Sequence, residues 1–271
     1  MAQRQQALTP VKSRQIWTLA LWAVFYLGAL AALVLLPGGS LLEHLRWLDS
    51  GICAQLPTHS FYPGGERLPL CARNTGIYLG FSITLLTLYI SGRGRTQLLP
   101  PWPIVILLAC GVLALAIDGV NSFFVDLGLP HLYQPHNLLR LATGLLTGLA
   151  MGALVLPLLN RQFWREYNEQ RSIASWRAYL LLLPAILLSF FAVASQSAVI
   201  LYPIALLSTA GVLIALTSVN LIAAVAVGKR DQAFERYREI VPFFSLALVF
   251  AIGELLLLAQ LKLALLGALG V

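Results

Sequence analysis

Charged side chains are scarce in this sequence. Of its 271 residues, 11% are charged and 59% are hydrophobic, and the mean hydropathy is +0.81. Soluble domains have about 25% charged residues, because a globule must present a solvated surface. This scarcity excludes a soluble domain. The apolar residues lie in runs close to the length of about 20 that crosses a bilayer. We therefore expect an all-α, multi-pass protein of the cell membrane (plasma or inner).

Recognisable catalytic signatures are also missing. The sequence has no nucleophile–base pairing, phosphate-binding loop, HExxH helix or haem-attachment motif. These absences favour a protein that is not an enzyme and has no cofactor. A hydrolase or synthase whose residues are spread over several helices stays open as an alternative.

Seven apolar stretches predict a polytopic transmembrane helix bundle that forms a single domain over residues 1–271. The first stretch is too long for the core of a signal peptide, so we expect a retained helix. The second is the least apolar and contains Ser82, Thr84 and Thr87. The predicted spans are 15–36, 75–91, 103–124, 137–159, 177–195, 199–228 and 241–268.

The basic residues predict the orientation of the bundle. Thirteen Lys and Arg residues lie in the amino terminus and the even-numbered loops, whereas the opposite loops have only Arg46, Arg67 and Arg73. An excess of cations marks the cytoplasmic side of a membrane. We therefore expect the amino terminus inside, the carboxyl terminus outside and an extracytoplasmic loop at 37–74. The formal charge of +7 is then a topology signal, and we expect no nucleic-acid partner.

The extracytoplasmic loop begins with a segment of helical periodicity. Leu41, Leu42, Leu45 and Leu48 recur at the spacing of one helix face. The pattern predicts an amphipathic helix lying in the membrane interface. A solvated connector is the alternative.

The sequence has three cysteines. Cys110 lies within the third span and is expected to be a small core residue. Cys53 and Cys71 share the outer loop, where an oxidising compartment makes them a disulfide candidate. Such a bridge would contribute about 3 kcal/mol, and two free thiols are the alternative. A zinc site needs about four ligands, usually with a Cys-x-x-Cys pair, and only His59 stands near. We expect no metal.

The stretch from Cys53 to Gly80 carries a characteristic set of residues. They are Cys53, Gln55, Pro57, Ser60, Phe61, Pro69, Cys71, Ala72, Arg73, Thr75, Gly76, Ile77, Tyr78 and Gly80. This set resembles an uncharacterised bacterial integral-membrane family, domain of unknown function 2085. The resemblance covers about residues 45–150, and 177–268 form an additional three-helix part. Ala54 stands where the family has a histidine and Asn74 where it has a third cysteine. The family pattern implies a metal or redox site on the outer face, which these two replacements would leave degenerate.

Several polar residues fall at the same depth, near the outer face of the predicted bundle. They could form one cluster that binds an anionic headgroup, an ion or a cofactor. Alternatively, Asp118 makes a structural ion pair with Arg140 or Arg73, and we expect Arg140 because the two helices run in opposite directions. The predicted cluster comprises Arg73, Asn74, Asp118, Asn121, His136, Asn137 and Arg140.

Glu254 lies near the middle of the seventh span, where a charge is costly. It is neutral, paired with another span, or part of a proton or ion path. Gly76 and Gly80, and then Gly144, Gly148 and Gly152, recur four residues apart. Small residues at this interval indicate close helix packing or a groove for lipid or quinone.

Three functions are compatible with these features. The first is an accessory or structural subunit of a membrane assembly, with membrane lipids and other membrane-protein subunits as partners. The second is a small transporter or lipid-translocating protein. The third is a membrane metal or redox enzyme with a degenerate site.

Overall fold

The computed structural model describes residues 39–269, and the predicted span at 15–36 lies outside this range. The described chain is all-helical, with no strand, as expected from its composition. Short 3₁₀ turns lie at Pro57–His59, Pro63–Gly65 and Ala198–Ile200. The seven α-helices are α1 (Leu41–Asp49), α2 (Ala72–Ile90), α3 (Trp102–Asp126), α4 (Asn137–Phe163), α5 (Trp176–Ala194), α6 (Leu201–Val227) and α7 (Tyr237–Leu269).

Five of these helices are long and apolar enough to cross a membrane, namely α3 to α7. This confirms a multi-pass membrane bundle. The remaining long helix, α2, lies where the second span was predicted and packs against α4, α5 and α6. Its surroundings are therefore largely protein. This explains how Thr75 and Thr84 can be almost fully buried in it, and why hydropathy identified it least clearly.

The glycines mark the closest contact in the bundle, between α2 and α4. A Cβ atom on Gly76 would lie 2.9 Å from the backbone nitrogen of Leu145, and one on Gly80 would lie 2.7 Å from the Leu145 carbonyl oxygen. Because no side chain separates the two backbones, the helices approach more closely than larger residues would allow. The predicted packing role of these glycines is thus confirmed.

One end of the described bundle, the basic end, comprises the loops at 91–101, 164–175 and 228–236. These loops contact one another through backbone hydrogen bonds, such as Ser172 N–H to Leu98 O at 3.1 Å and Phe234 N–H to Phe163 O at 3.1 Å. The guanidinium of Arg95 lies 3.9 Å from the ring centre of Trp164. The three most basic loops between described helices therefore share one end, as the charge pattern predicted.

The orientation in the membrane stays a prediction that a reporter fusion can test. Since the basic loops share one end, a reporter active only outside the cytoplasm should be silent after Arg95. The same reporter should be active at the carboxyl terminus, because α7 leads away from the basic end. A reporter with the reverse activities at these two points would contradict the assignment of the basic end to the cytoplasm.

The opposite end, the cysteine end, carries residues 39–71, 127–136 and 195–200. The helix predicted at its start is confirmed as α1, whose first turn is closed by a capping box between Ser40 and Glu43. Its buried face contains Leu42, Leu45 and Leu48 and packs against α6 and α7. Lys262 of α7 donates from Nζ to the Cys53 carbonyl oxygen at 3.0 Å. The loop after α1 is thus held against the bundle by a membrane helix.

Candidate functional site

An ion pair between α2 and α3 lies at the centre of the cysteine end. Arg73 Nη2 is 2.6 Å from Asp118 Oδ2, and the Asp118 side chain is 1% exposed. The same nitrogen donates to Ser122 Oγ at 3.0 Å. A buried carboxylate is costly unless it is paired and hydrogen-bonded, and here both conditions are met. The pair fixes the rotation of α3 against α2.

The loop 127–136 covers this ion pair. The Tyr133 hydroxyl donates to Asp118 Oδ1 at 3.0 Å, so both carboxylate oxygens are occupied. Asn121 holds the loop in place: its Nδ2 donates to the Tyr133 carbonyl oxygen at 2.8 Å, and its Oδ1 accepts from Leu132 N–H at 2.7 Å. Burial raises the pKa of Tyr133, and its bond to Asp118 acts in the same direction. Tyr133 therefore stays a donor at neutral pH.

The prediction that Asp118 forms an ion pair with Arg140 is wrong. The ion partner of Asp118 is Arg73, whereas Arg140 Nη1 donates to Asn137 Oδ1 at 2.7 Å, one turn earlier on α4. Arg140 is only 5% exposed, its Nε has no hydrogen-bond partner, and it makes no ion pair with any described residue. Asp118 and Asp126 attract it at longer range and Arg73 repels it. Arg140 is a buried cation whose hydrogen-bonding capacity is not filled.

The 3₁₀ turn Pro57–His59 lies over Arg140. Asn137 Nδ2 donates to the carbonyl oxygens of Thr58 at 3.1 Å and Ser60 at 3.3 Å, so Asn137 ties this turn to the start of α4. His59 Nε2 is 3.2 Å from Asp126 Oδ1 at the end of α3. Burial, together with the charge of Arg140, lowers the pKa of His59. The turn therefore contributes little positive charge of its own near neutral pH.

An apolar cavity of about 530 Å³ lies beside this cluster, along α3 and the loop 127–136. Asn121 and His131 contribute polar groups, and the other lining side chains, such as Ile117, Val120 and Phe124, are apolar. A polar cluster and an apolar groove thus meet at the same turn of α3. This is the combination that an amphiphilic molecule with an anionic headgroup would require.

A second polar cluster, the thiol cluster, lies on the other side of the start of α2. It consists of Cys53, Cys71, Asn74 and Asp49. The Cys71 backbone N–H donates to Cys53 Sγ at 3.2 Å, and the Cys71 thiol also hydrogen-bonds to that sulfur. These donors, the thiol first, lower the pKa of Cys53 to about 6. The bond to Cys53 raises the pKa of Cys71, so Cys53 is the thiolate of the pair and Cys71 the thiol.

The structure places Cys53 and Cys71 together, as expected for the disulfide candidate, and holds both as free thiols. Asn74 belongs to the thiol cluster and not to the cluster around Arg73, Asp118 and Arg140. Its side-chain amide reaches the Ile52 carbonyl oxygen at 3.5 Å and also hydrogen-bonds to Cys53. The residue that replaces the third family cysteine thus still contacts the thiol pair.

Asp49 is a candidate site residue that the sequence analysis missed. It ends α1 with no exposed surface, and its Oδ2 accepts from Thr209 Oγ1 of α6 at 2.6 Å. Its Oδ1 has no hydrogen-bond partner. Burial raises the pKa of Asp49 to about 7, and the neighbouring Cys53 thiolate adds to the shift. The signal in the sequence was its position beside Leu45 and Leu48, on the apolar face of α1.

His136 and Cys110 differ from expectation, whereas Glu254 matches one of the alternatives left open for it. His136 caps α4, with its Nδ1 accepting from Leu138 N–H at 3.2 Å, so it does not contact the arginines. Glu254 is paired with another span, because Asn220 Nδ2 of α6 donates to Glu254 Oε2 at 3.0 Å. Cys110 is exposed on α3 and is not a core residue. Its helix lies at the edge of the described bundle and packs chiefly on α4.

The thiol cluster has too few donor groups for a metal site. Among residues 39–269, no group of three or more His, Cys, Asp and Glu side chains is placed to hold a metal ion. Cys53 and Cys71 supply two thiols, and Asn74 supplies an amide in place of a third. Since a structural zinc site needs about four ligands, the described residues do not fit one.

Comparison with known proteins supports the resemblance seen in the sequence. An uncharacterised protein of the archaeon Methanocaldococcus jannaschii is 26% identical over 118 residues, which cover 43% of this chain and 69% of the relative. No solved structure matches the chain. Residues 53–154 match the family described as "Predicted membrane protein (DUF2085)". This segment includes Cys53, Cys71, Arg73, Asp118 and Arg140. This segment of the chain is therefore similar to the DUF2085 family of predicted membrane proteins.

Proposed function

We propose that the protein is an accessory subunit of a cell-membrane assembly and that it binds an anionic lipid at its cysteine end. The lipid headgroup would lie against Arg140, beneath the turn Pro57–His59, and an acyl chain would follow the apolar cavity along α3. The observation that carries the proposal is the buried guanidinium of Arg140 with an unfilled Nε.

The energetics favour an anion at this position. A charge at membrane depth costs about 2.5–3.5 kcal/mol on insertion scales, and the cost is reduced by a partner of opposite charge. Arg73 satisfies this requirement through Asp118, whereas Arg140 has only the amide oxygen of Asn137 within hydrogen-bond distance. A phosphate or carboxylate group bound to Arg140 would supply the missing charge and accept from its free N–H groups.

The apolar cavity favours a lipid over a free anion. Its volume of about 530 Å³ lies within the range of about 300–1,000 Å³ that is typical of small-molecule sites. Asn121 lines this cavity on one side and, on the other, holds Tyr133 over the ion pair of Asp118. A ligand with one charged end and one apolar end would contact both regions at once.

Replacing Arg140 with glutamine should weaken the binding of anionic lipid. Glutamine keeps a donor but removes the charge, and a hydrogen bond to a charged group contributes about 1.5–3 kcal/mol, which corresponds to roughly a tenfold to hundredfold loss of affinity. The measurement is native mass spectrometry of the full chain titrated with phosphatidylglycerol, with phosphatidylcholine as the zwitterionic comparison.

Arg177→Gln is the matched control, because Arg177 is exposed at the basic end of α5. It makes the same change of charge and should leave lipid binding as in the wild type. Equal loss in both variants would mean that the lipid responds to net charge, and equal retention would remove Arg140 from the site. Added inorganic phosphate should not displace the lipid if the apolar cavity contributes.

A further inference from the structure

The thiol cluster has features that a structural disulfide does not need. A bridge requires only two sulfur atoms at the right distance. Here the carboxyl group of Asp49 is buried within electrostatic range of Cys53, with one oxygen hydrogen-bonded to Thr209 and the other without a partner. A backbone hydrogen bond links Asp49 to the turn that carries Cys53: the Cys53 N–H donates to the Asp49 carbonyl oxygen at 3.1 Å.

The surroundings of Cys53 stabilise a thiolate. Its sulfur accepts from the backbone N–H of Cys71, the N-cap residue just before α2, so it lies at the positive end of a 19-residue helix. The Cys71 thiol donates to the same sulfur. Arg73 on α2 acts electrostatically on Cys71, and Lys262 on α7 donates to the Cys53 carbonyl oxygen. Tyr78 on α2 interacts electrostatically with both cysteines.

The two sulfurs differ in access. Cys53 is 5% exposed, whereas Cys71 is partly exposed at the surface of the cysteine end. Access this narrow favours a small disulfide compound over a disulfide within a folded protein. Lys262, which donates to the carbonyl oxygens of Ser50, Cys53 and Ala54, keeps the Cys53 turn fixed against α7.

We propose that Cys53, Cys71 and Asp49 form a thiol–disulfide exchange site for small disulfide compounds. The reaction starts from the Cys53 thiolate, the Cys71 thiol and the protonated carboxyl group of Asp49. The Cys53 thiolate attacks one sulfur of the disulfide RSSR, a Cys53–S–S–R bond forms and RS⁻ leaves with the proton of Cys71. The Cys71 thiolate then attacks Cys53 Sγ and expels the second RS⁻, which takes the proton from Asp49. The two cysteines are oxidised to one disulfide, and RSSR is reduced to two RSH.

The test uses the full chain in detergent or nanodiscs, with oxidised glutathione as the disulfide. Cys110→Ser provides the background, because Cys110 lies outside the cluster and its thiol would add to the signal. With Cys53, Cys71 and Asp49 all present, the two thiols should convert to a disulfide that reduced glutathione reverses. When Cys71→Ser is added, a glutathione adduct should accumulate on Cys53, because the resolving thiol is gone. Cys53→Ser should leave Cys71 largely unreacted.

Asp49→Asn separates the proton donor from a purely structural role. Asparagine still accepts from Thr209 but has no carboxyl proton to give. The adduct on Cys53 should therefore form at the wild-type rate, whereas its conversion to the disulfide should slow by about tenfold or more near neutral pH. Thr209→Val removes the hydrogen bond and keeps the carboxyl group, and should retain the wild-type rate of both steps near neutral pH.

Three results would overturn the proposal. One is a folded protein that forms neither the adduct nor the disulfide. Another is a disulfide, present from the start, that a large excess of reduced glutathione does not open, since this would be a structural bridge. The third is an Asp49→Asn variant that converts the adduct to the disulfide at the wild-type rate. If Asp49→Asn does not fold, the adduct experiment with Cys71→Ser still decides whether Cys53 is the attacking thiol.

Discussion

Replacing Gly148 with leucine is expected to prevent α2 and α4 from packing and to leave no stable folded protein. A Cβ atom on Gly148 would lie 2.6 Å from the Phe81 backbone nitrogen and 2.9 Å from the Gly80 carbonyl carbon. Both atoms belong to the backbone of α2, so no side chain can rotate away. The helices would have to separate along the most extensive contact in the bundle.

The loss of stability should grow with the size of the side chain that replaces Gly148. Adding methylene groups to a packed interior costs about 1–3 kcal/mol, and a methyl group against a backbone lies at the upper end of this range. Gly148→Ala should therefore lower the thermal unfolding midpoint clearly, and Gly148→Leu should abolish the monodisperse peak in size-exclusion chromatography. Gly80→Ala should resemble Gly148→Ala, because its Cβ would lie 2.7 Å from the Leu145 carbonyl oxygen.

Gly253 provides the control on a helix of the same bundle. It lies on the exposed side of α7, and a Cβ atom there would meet nothing within 4 Å. Gly253→Ala and Gly253→Leu should leave stability equal to or slightly above that of the wild type, since glycine is a poor helix former. If Gly148 tolerated leucine as well as Gly253 does, the close approach of α2 and α4 would be contradicted.

The glycines show what the sequence can and cannot predict about helix packing. Their four-residue interval predicts a face for close packing, but it does not identify the helix that packs there. Gly76 and Gly80 of α2 lie against Gly144 and Gly148 of α4, with α3 between them in the chain. Hydropathy similarly locates α3 to α7, because these helices carry apolar side chains toward lipid. It locates α2 poorly because α2 packs against protein.

The candidate site shows a related limit. The direction and length of each span give the depth of a residue, but not the direction in which its side chain points. Arg73 and Asn74 have nearly the same depth, yet consecutive residues point about 100° apart around a helix. Arg73 therefore reaches Asp118 on α3, whereas Asn74 faces Ile52 and Cys53. One predicted cluster becomes two.

Asp49 was missed for a third reason. A single acid at the end of a short amphipathic helix is normally solvated, so its presence carries little information. It becomes unusual only when α6 brings Thr209 against it, 160 residues later in the chain. No local pattern predicts this contact, because it depends on how α1 and α6 pack.

Removing the charge of Asp118 should be the most damaging single polar change in the described bundle. Asp118→Asn keeps the size of the side chain but leaves Arg73 without its ion partner. Breaking a buried pair by removing one member costs about 3–5 kcal/mol, because the remaining charge is uncompensated. Arg73→Gln should be similarly harmful, since it leaves the carboxylate with only the Tyr133 hydroxyl as a donor.

The double variant distinguishes the ion pair from two independent effects. Asp118→Asn combined with Arg73→Gln leaves no orphaned charge, so its loss of stability should be well below the sum of the single losses. The same cycle on Arg165 and Glu235 is the matched control: that pair is also 2.6 Å apart, but its side chains are 62% and 52% exposed. Exposed pairs are worth about 0–1 kcal/mol, so its coupling should be small.

A cycle of Asp118 with Arg140 should show much weaker coupling than that with Arg73. Coupling to Arg140 as strong as to Arg73 would show that the carboxylate is shared, and Arg140 would then need no external anion.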